Sequence, residues 1–129
     1  YKGKMKDLTK EQAYKIYVDM YWDKLHLYDI EEISPMIAEE MADTGVNMGT
    51  VRAAKFLQRS LNVLNNRTNS YADLKVDGII GNKTINALKS YFKIRGNLGE
   101  KVLFKMLNSL QGAFYVTLAE VREKDEKFV

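Results

Sequence analysis

The middle of the sequence carries a strongly apolar helical pattern that begins after a glycine, and this pattern limits the fold more than any other feature. Between Gly49-Thr50 and about Leu64, apolar residues recur at steps of three and four positions. The stripe and its flanks consist of Ala53, Ala54, Leu57, Leu61 and Leu64, with Phe56 and Val63 beside them. An apolar arc this wide predicts a central helix that neighbouring elements contact on several sides.

Two helices are predicted before this central one. Thr9 begins a capping-box pattern, and the apolar spacing that follows predicts a helix from about Lys10 to Lys24. Ser34-Pro35 is a good start for a second, shorter helix, because proline is tolerated at the first helical position. We expect that helix to end near Asp43, since Gly45 can adopt the left-handed conformation that closes a helix.

Two further helical patterns follow the central one. The first runs from Gly81 to about Gly96, and the second extends over residues 103–121. Gly112 interrupts the second pattern, which predicts close packing or a small kink there. A short apolar-polar alternation near 74–80 permits at most a very short strand pair. The sequence therefore predicts a mainly α fold, a single-domain bundle of about five helices.

Composition narrows the classes of protein that remain. A chain of 129 residues with 46% apolar content has the size of one domain with one core, so we expect a single domain over residues 1–129. There is no cysteine and only one histidine, His26, which argues against disulfides and a metal site, and no cofactor is expected. The formal charge of +3 is compatible with an anionic polymer. No apolar run is long enough to span a membrane, and no signal peptide is visible.

Two glycine motifs in the second half of the sequence invite ligand-binding interpretations that their spacing does not support. A calcium loop that starts at Asp73 would have Lys75 at its third position and Thr84 where a bidentate glutamate is needed. A phosphate loop at Gly78–Thr84 is too short, and Asn82 interrupts it. The stretch is better interpreted as a tight turn, with a close backbone approach at Gly81 and a cap for the next helix.

Carboxylates are the residues to examine for hydrolytic chemistry, because glycosidic cleavage usually needs one neutral acid and a second ionised group or held water. Glu39, Glu40 and Asp43 are the candidates. If the helix ends near Asp43, the negative end of its dipole should raise the pKa of that carboxyl. The alternative is that all three are solvated surface acids.

Polar and aromatic residues beside these carboxylates have two interpretations each. Asn47 can form a turn, or it can bond a sugar hydroxyl or N-acetyl group. Tyr21 and Trp22 precede His26 and Tyr28, and such a cluster can stack on sugar rings or pack against the fold. His26 is expected to be a surface imidazole, since no serine, cysteine or second histidine completes a catalytic pattern.

The order of several segments resembles glycoside hydrolase family 108. The segments are Asp7-Leu8-Thr9, Tyr21-Trp22, Asp43, Val46-Asn47-Met48-Gly49, Ala54-Lys55-Phe56-Leu57-Gln58 and Asp77-Gly78-Ile79-Ile80-Gly81-Asn82-Lys83-Thr84. The resemblance covers roughly Leu8 to Phe128. It implies a lysozyme-like fold in which residues 1–64 resemble the hydrolase half and residues 65–129 resemble a predicted peptidoglycan-binding half.

The resemblance also implies a function for the parent protein. Members of this family are muramidases, some described as secretion activators, that hydrolyse the β-1,4 bond between N-acetylmuramic acid and N-acetylglucosamine. It implies a bacterial or phage protein that acts at the cell wall or periplasm on peptidoglycan glycan strands. The substrate-binding residues expected from matching positions are Asp43 and Asn47, with Tyr21 and Trp22 as sugar-stacking neighbours.

The catalytic acid of that family cannot be assigned to this sequence. The family places its proposed acid in a Glu-Gly-Gly segment, and no such segment occurs in the 129 residues. We therefore expect a trimmed family member that is inactive alone, with Asp43 as a weak catalytic candidate. Two alternatives remain open: a non-catalytic peptidoglycan-binding module, and a helical protein- or nucleic-acid-interaction domain, for which the alternating acids and bases are unfavourable.

Overall fold

A computed structural model describes the backbone of residues 9–127, and the side chains in that range except those of residues 14, 17, 18, 21 and 123–127. The chain folds into α-helices, and residues 9–127 include no strand. The helices are α1 (Lys10–Lys24), α2 (Leu27–Ile33), α3 (Pro35–Met48), α4 (Thr50–Val63) and α5 (Asn82–Lys127). The prediction of a mainly α fold is confirmed.

The first helix begins as its sequence predicts. The backbone N–H of Gln12 donates to the Thr9 hydroxyl at 3.1 Å, and the N–H of Thr9 donates to the Gln12 side chain at 3.0 Å. These two reciprocal bonds satisfy backbone donors that a helix start otherwise leaves unpaired. The helix bounds of Lys10 and Lys24 agree with the prediction.

Helix α2 was not predicted, because a helix of seven residues is too short to show a clear apolar periodicity. Helix α2 follows His26, which has a left-handed backbone (φ 49°), and it buries Leu27 and Ile30. It ends at Ser34, whose hydroxyl accepts from the Ile37 N–H at 3.2 Å and so caps α3. The same hydroxyl donates to Glu100 at 2.6 Å, so this helix junction is also bonded to α5, just after its break at Gly96.

The predicted end of α3 near Asp43 is wrong. The helix continues through Gly45, which is buried, and ends at Met48 before Gly49 (φ 92°). The local stop signal fails because Thr44 is buried and its hydroxyl bonds to Gln111 of α5, which holds the following turn against the core. Asp43 therefore lies inside the helix rather than in its last turn, away from the negative end of the helix dipole.

Helix α4 occupies the centre of the fold, as its wide apolar stripe predicts. Four of its apolar residues, Ala53, Ala54, Leu57 and Leu61, are completely inaccessible to solvent. Helices α3 and α5 both contact α4, while α2 packs on α3 and α5. One cluster of buried apolar side chains joins α2 through α5 and forms a single core.

The segment between α4 and α5 begins with turns and contains no strand, and Gln58 of α4 anchors its residues 77–79. The Gln58 amide donates to Asp77 Oδ1 at 3.0 Å and to the Ile79 carbonyl at 2.9 Å, and its oxygen accepts from the Gly78 N–H at 3.0 Å. The close backbone approach occurs at Gly78 (φ 77°) and not at Gly81, which has no neighbour close enough to need a glycine. The glycine motif is thus part of the scaffold.

Helix α5 is broken at Gly96, where φ 60° and ψ −143° depart from helical geometry. Across the break, the buried Tyr91 hydroxyl donates to the Gly99 carbonyl at 2.6 Å, so the two helical segments stay in contact. The prediction of a helix end at Gly96 is confirmed. Gly112 is different, because its backbone is helical and a Cβ there would meet open space, so the predicted kink or close packing is absent.

Candidate functional site

A polar cleft lies between the end of α3 and the C-terminal segment of α5. We call it the amide cleft. Its volume is about 440 Å³, and it is lined by Asn47, Met48, Asn108, Gln111, Gly112, Tyr115, Leu118, Ala119 and Arg122. The residues from α5 recur at helical steps and so form one face of that helix. Three of the lining side chains are carboxamides, which can both donate and accept hydrogen bonds.

Gln111 is held in place at the wall of this cleft. Its Nε2 donates to Asp43 Oδ2 at 3.0 Å, and its Oε1 accepts from the buried Thr44 hydroxyl. Asn47 Nδ2 lies 3.5 Å from Asp43 Oδ1, one helical turn along α3. Because both carboxylate oxygens of Asp43 accept from amides, this carboxylate fixes the orientation of two side chains that line the cleft.

The rest of the cleft combines an aromatic ring, a cation and an uncovered backbone. Tyr115 is 67% exposed, and Arg122 lies two turns further along α5. Gly112 lacks a side chain between Gln111 and Tyr115, so the helix surface is open there. A flat ring, several amides and an open backbone form a surface that suits a polar ligand with an extended shape.

Of the four residues predicted to bind substrate, Asn47 lines this cleft, and Asp43, which is not one of the lining residues, bonds to Gln111 and Asn47 at its wall. Trp22 does not line it. Its ring is half-buried against the core and meets Tyr28 edge to face, with ring centroids 5.7 Å apart. The side chain of Tyr21 lies outside the described residues. Whether any of the four binds substrate stays a prediction.

The contribution of α5 to the cleft was not predicted from the sequence. Asn108, Gln111, Tyr115 and Arg122 were treated only as parts of a helical segment with an apolar stripe. Their spacing of three, four and seven residues places them on one side of that helix, next to the stripe that packs on the core. A polar and aromatic stripe was the available signal, but the sequence does not say that α3 faces it.

Glu40 is the carboxylic acid with the most unusual surroundings in the described part of the chain. It is 8% exposed, and its Oε1 is buried without a hydrogen-bond partner among the described atoms. Burial, together with the nearby charge of Asp43, raises the pKa of Glu40 to about 6. Glu39 is exposed, as expected of a surface acid. Glu40 was one of three candidates from the sequence, and burial distinguishes it from the other two.

The described residues contain neither a metal-binding cluster nor a membrane-spanning helix. Among these, no three histidine or acidic side chains cluster closely enough to hold a metal ion. None of the helices in the same range is long and apolar enough to cross a membrane.

Comparison with protein families agrees with this architecture. Residues 52–129 match the family described as Predicted Peptidoglycan domain, and residues 1–49 match Glycosyl hydrolase 108. No curated protein sequence matches the chain. The two matches meet close to Gly49, between α3 and α4, so the amide cleft receives side chains from both. The chain therefore belongs to the Predicted Peptidoglycan domain family, with a match to Glycosyl hydrolase 108 in its first 49 residues, and it is a peptidoglycan-directed, lysozyme-like protein.

Proposed function

We propose that this chain binds the glycan strands of peptidoglycan in the amide cleft. The observation that carries the proposal is the Gln111 amide, which Asp43 and Thr44 hold in one orientation at the wall of an open polar cleft. A fixed amide recognises a ligand with less loss of side-chain entropy than a mobile one. The amino sugars of peptidoglycan carry hydroxyl and N-acetyl groups, which pair with amides in both directions.

Tyr115 and Arg122 would complete such a site. An exposed aromatic ring offers its face to the C–H surface of a sugar, and the Tyr115 ring stands beside the open backbone of Gly112. Arg122 supplies hydrogen-bond donors for hydroxyl and carbonyl oxygens of the glycan strand. Asp43 acts in this proposal as a positioning residue, because its oxygens are occupied by the two amides.

Hydrolysis by the parent protein is the second part of the proposal. The β-1,4 bond between N-acetylmuramic acid and N-acetylglucosamine would be cleaved by an acid that these 129 residues do not provide, since they contain no Glu-Gly-Gly segment. This chain would then form one wall of the substrate cleft and bind without cleaving. Glu40 does not replace that acid in this proposal, because it is not one of the residues that line the amide cleft.

Binding to purified, insoluble peptidoglycan sacculi tests the first part. We expect the chain to sediment with sacculi, and the variants Gln111→Ala and Tyr115→Ala to bind about tenfold more weakly, which is the size of a lost hydrogen bond or ring contact. Val116→Ala is the matched control, because Val116 is an exposed neighbour that does not line the cleft. Equal retention of all four proteins would refute binding at this site.

A lysis assay tests the second part. Release of reducing sugar from the same sacculi should be absent with this chain and present with a longer protein that carries a Glu-Gly-Gly segment before it. Equal release by the two proteins would show that the acid lies within the 129 residues. In that case Glu40 and Asp43 would be the first residues to substitute.

A further inference from the structure

A second groove lies between α4 and the C-terminal segment of α5, and it differs in chemistry from the amide cleft. We call it the α4–α5 groove. Its volume is about 490 Å³, and its walls are formed by Arg59, Ser60, Val63, Lys105, Met106, Ser109, Leu110 and Ala113. The residues that line it from α5 lie on a different face of that helix from those of the amide cleft. Both sites could therefore be occupied together.

The charge in this groove has one sign. Arg59 from α4 and Lys105 from α5 are its ionisable residues, and both are exposed. Neither forms an ion pair within the described part of the chain. Two cations beside an apolar floor of Met106 and Leu110 favour a ligand with a carboxylate next to small apolar groups.

Ser60 provides an independent indication that the groove receives a polar ligand. Ser60 is one of the groove residues and is 1% exposed, and its buried hydroxyl has no hydrogen-bond partner among the described atoms. A serine inside a helix commonly bonds to the carbonyl four residues earlier, and this one does not. A buried hydroxyl without a partner has already lost its hydrogen bonds to water. A ligand that bonds to it therefore forms a hydrogen bond without a further desolvation cost on the protein side.

We propose that the α4–α5 groove binds the peptide stem of peptidoglycan. Such stems are short peptides with alanine methyl groups and free carboxylates, which match the apolar floor and the paired cations. Arg59 and Lys105 would bind the C-terminal carboxylate of the stem, Met106 and Leu110 would contact the alanine methyl groups beside it, and Ser60 would bond to a peptide carbonyl. The proposal rests on the peptidoglycan-directed function but not on glycan binding in the amide cleft.

Titration with a synthetic stem peptide tests the proposal. The probe is L-Ala-D-isoGlu-L-Lys-D-Ala-D-Ala with a free C-terminus, and the readout is the change in backbone amide NMR shifts of the whole chain. We expect the largest shifts at residues 59–63 and 105–113, with saturation. The same peptide with an amidated C-terminus should bind at least about fivefold more weakly, because it lacks that carboxylate. Absence of shifts in the groove would overturn the proposal, as would equal binding of the amidated peptide.

Substitutions separate the contribution of each groove residue. Arg59→Gln and Lys105→Gln should each weaken binding of the free-acid peptide by about tenfold. The control is Lys89→Gln, which removes one charge from an exposed position of α5 that does not line the groove. If the control weakens binding as much as the two groove variants, the attraction is general charge and the specific site is refuted.

Ser60→Ala distinguishes a ligand contact from a packing role. Removing an unpaired buried hydroxyl should leave the unfolding midpoint unchanged or higher, while peptide affinity falls several-fold. A fall in stability with unchanged affinity would contradict the assigned contact. Titration of the Gln111→Ala variant with the stem peptide separates the two sites. Loss of peptide binding in that variant would show that only one site exists, whereas retained peptide binding agrees with two.

Discussion

At the scale of single residues, Glu40 makes the stability of the fold depend on pH. Its folded-state pKa of about 6 lies above the ordinary value of 4.5, so the folded chain binds more protons than the unfolded chain between these pH values. Stability therefore decreases as the pH rises from about 4.5 through 6. A shift of this size corresponds to about 2 kcal/mol above pH 6.

The variant Glu40→Gln should remove this contribution. Glutamine keeps the shape of the side chain without the charge, so we expect the variant to be about 1–2 kcal/mol more stable than the natural chain at pH 7.5 and nearly equal to it at pH 4. Urea unfolding at both pH values measures the difference. Glu39→Gln is the matched control, since Glu39 is exposed on the same helix. A gain for Glu40→Gln that is the same at pH 4 would contradict the titration argument.

Gly78 is a position in the loop before α5 where a side chain would not fit. A Cβ there would lie 2.6 Å from Val51 Cγ1 and 3.2 Å from the Val51 carbonyl oxygen, and φ is 77°. Gly78→Ala should cost about 1–3 kcal/mol from backbone strain and the clash with α4. Gly81→Ala in the same loop should change stability far less, because its Cβ would meet no atom within 4 Å. Thermal unfolding of both variants measures this, and similar losses would refute the packing argument.

At the scale of elements, two glycines in α5 should respond to alanine in opposite directions. Gly96 has φ 60° and ψ −143°, a region that alanine adopts only with strain, so Gly96→Ala should destabilise the fold by about 1–3 kcal/mol. Gly112 is helical and faces open space, so Gly112→Ala should stabilise it by about 0.5–1 kcal/mol. Denaturant unfolding checks both signs. Stabilisation by Gly96→Ala would mean that the break is not required by the fold.

The elements that the sequence predicts are those whose signals are local. The capping box at Thr9, the apolar stripe of α4 and the break at Gly96 each depend on neighbours within a few residues, and each is found where it was expected. Gly45 shows the limit of this reasoning. Its stop signal is overridden by the bond between Thr44 and Gln111, which are 67 positions apart.

The candidate site also contains residues with local signals and residues whose role depends on contacts between distant parts of the chain. Asp43 and Asn47 were identified as possible cleft residues from their own stretch of chain, whereas Gln111 and Tyr115 depend on which face of α5 packs beside α3. The burial of Glu40 was not predicted, although Glu40 is three residues from Ile37 and four from Thr44 and so lies nearer the buried side of α3 than Glu39 does. Side chains contributed by a distant helix were therefore the part of the site that the sequence could not supply.

At the scale of the whole molecule, the two family matches share one core. The boundary at residues 49–52 falls at Gly49 and the first turn of α4, yet α3 packs on both α4 and α5. Ile37 and Met41 from the first match are buried in the same cluster as Leu57 and Leu107 from the second. Ser34 and Glu100 add a hydrogen bond across the boundary. We infer that the described residues, 9–127, form one cooperative unit and not two independent modules.

This inference predicts that the second match does not fold alone. A fragment of residues 52–129 lacks the α2 and α3 side chains that cover α4 and α5, so it should expose apolar surface and unfold without a sharp transition. Circular dichroism during heating measures this, with the full chain, which should show a single transition, as the control. Mixing the fragment with residues 1–49 should restore part of the helical signal if the two halves form one core. A fragment that unfolds cooperatively at the midpoint of the full chain would instead establish it as an independent domain.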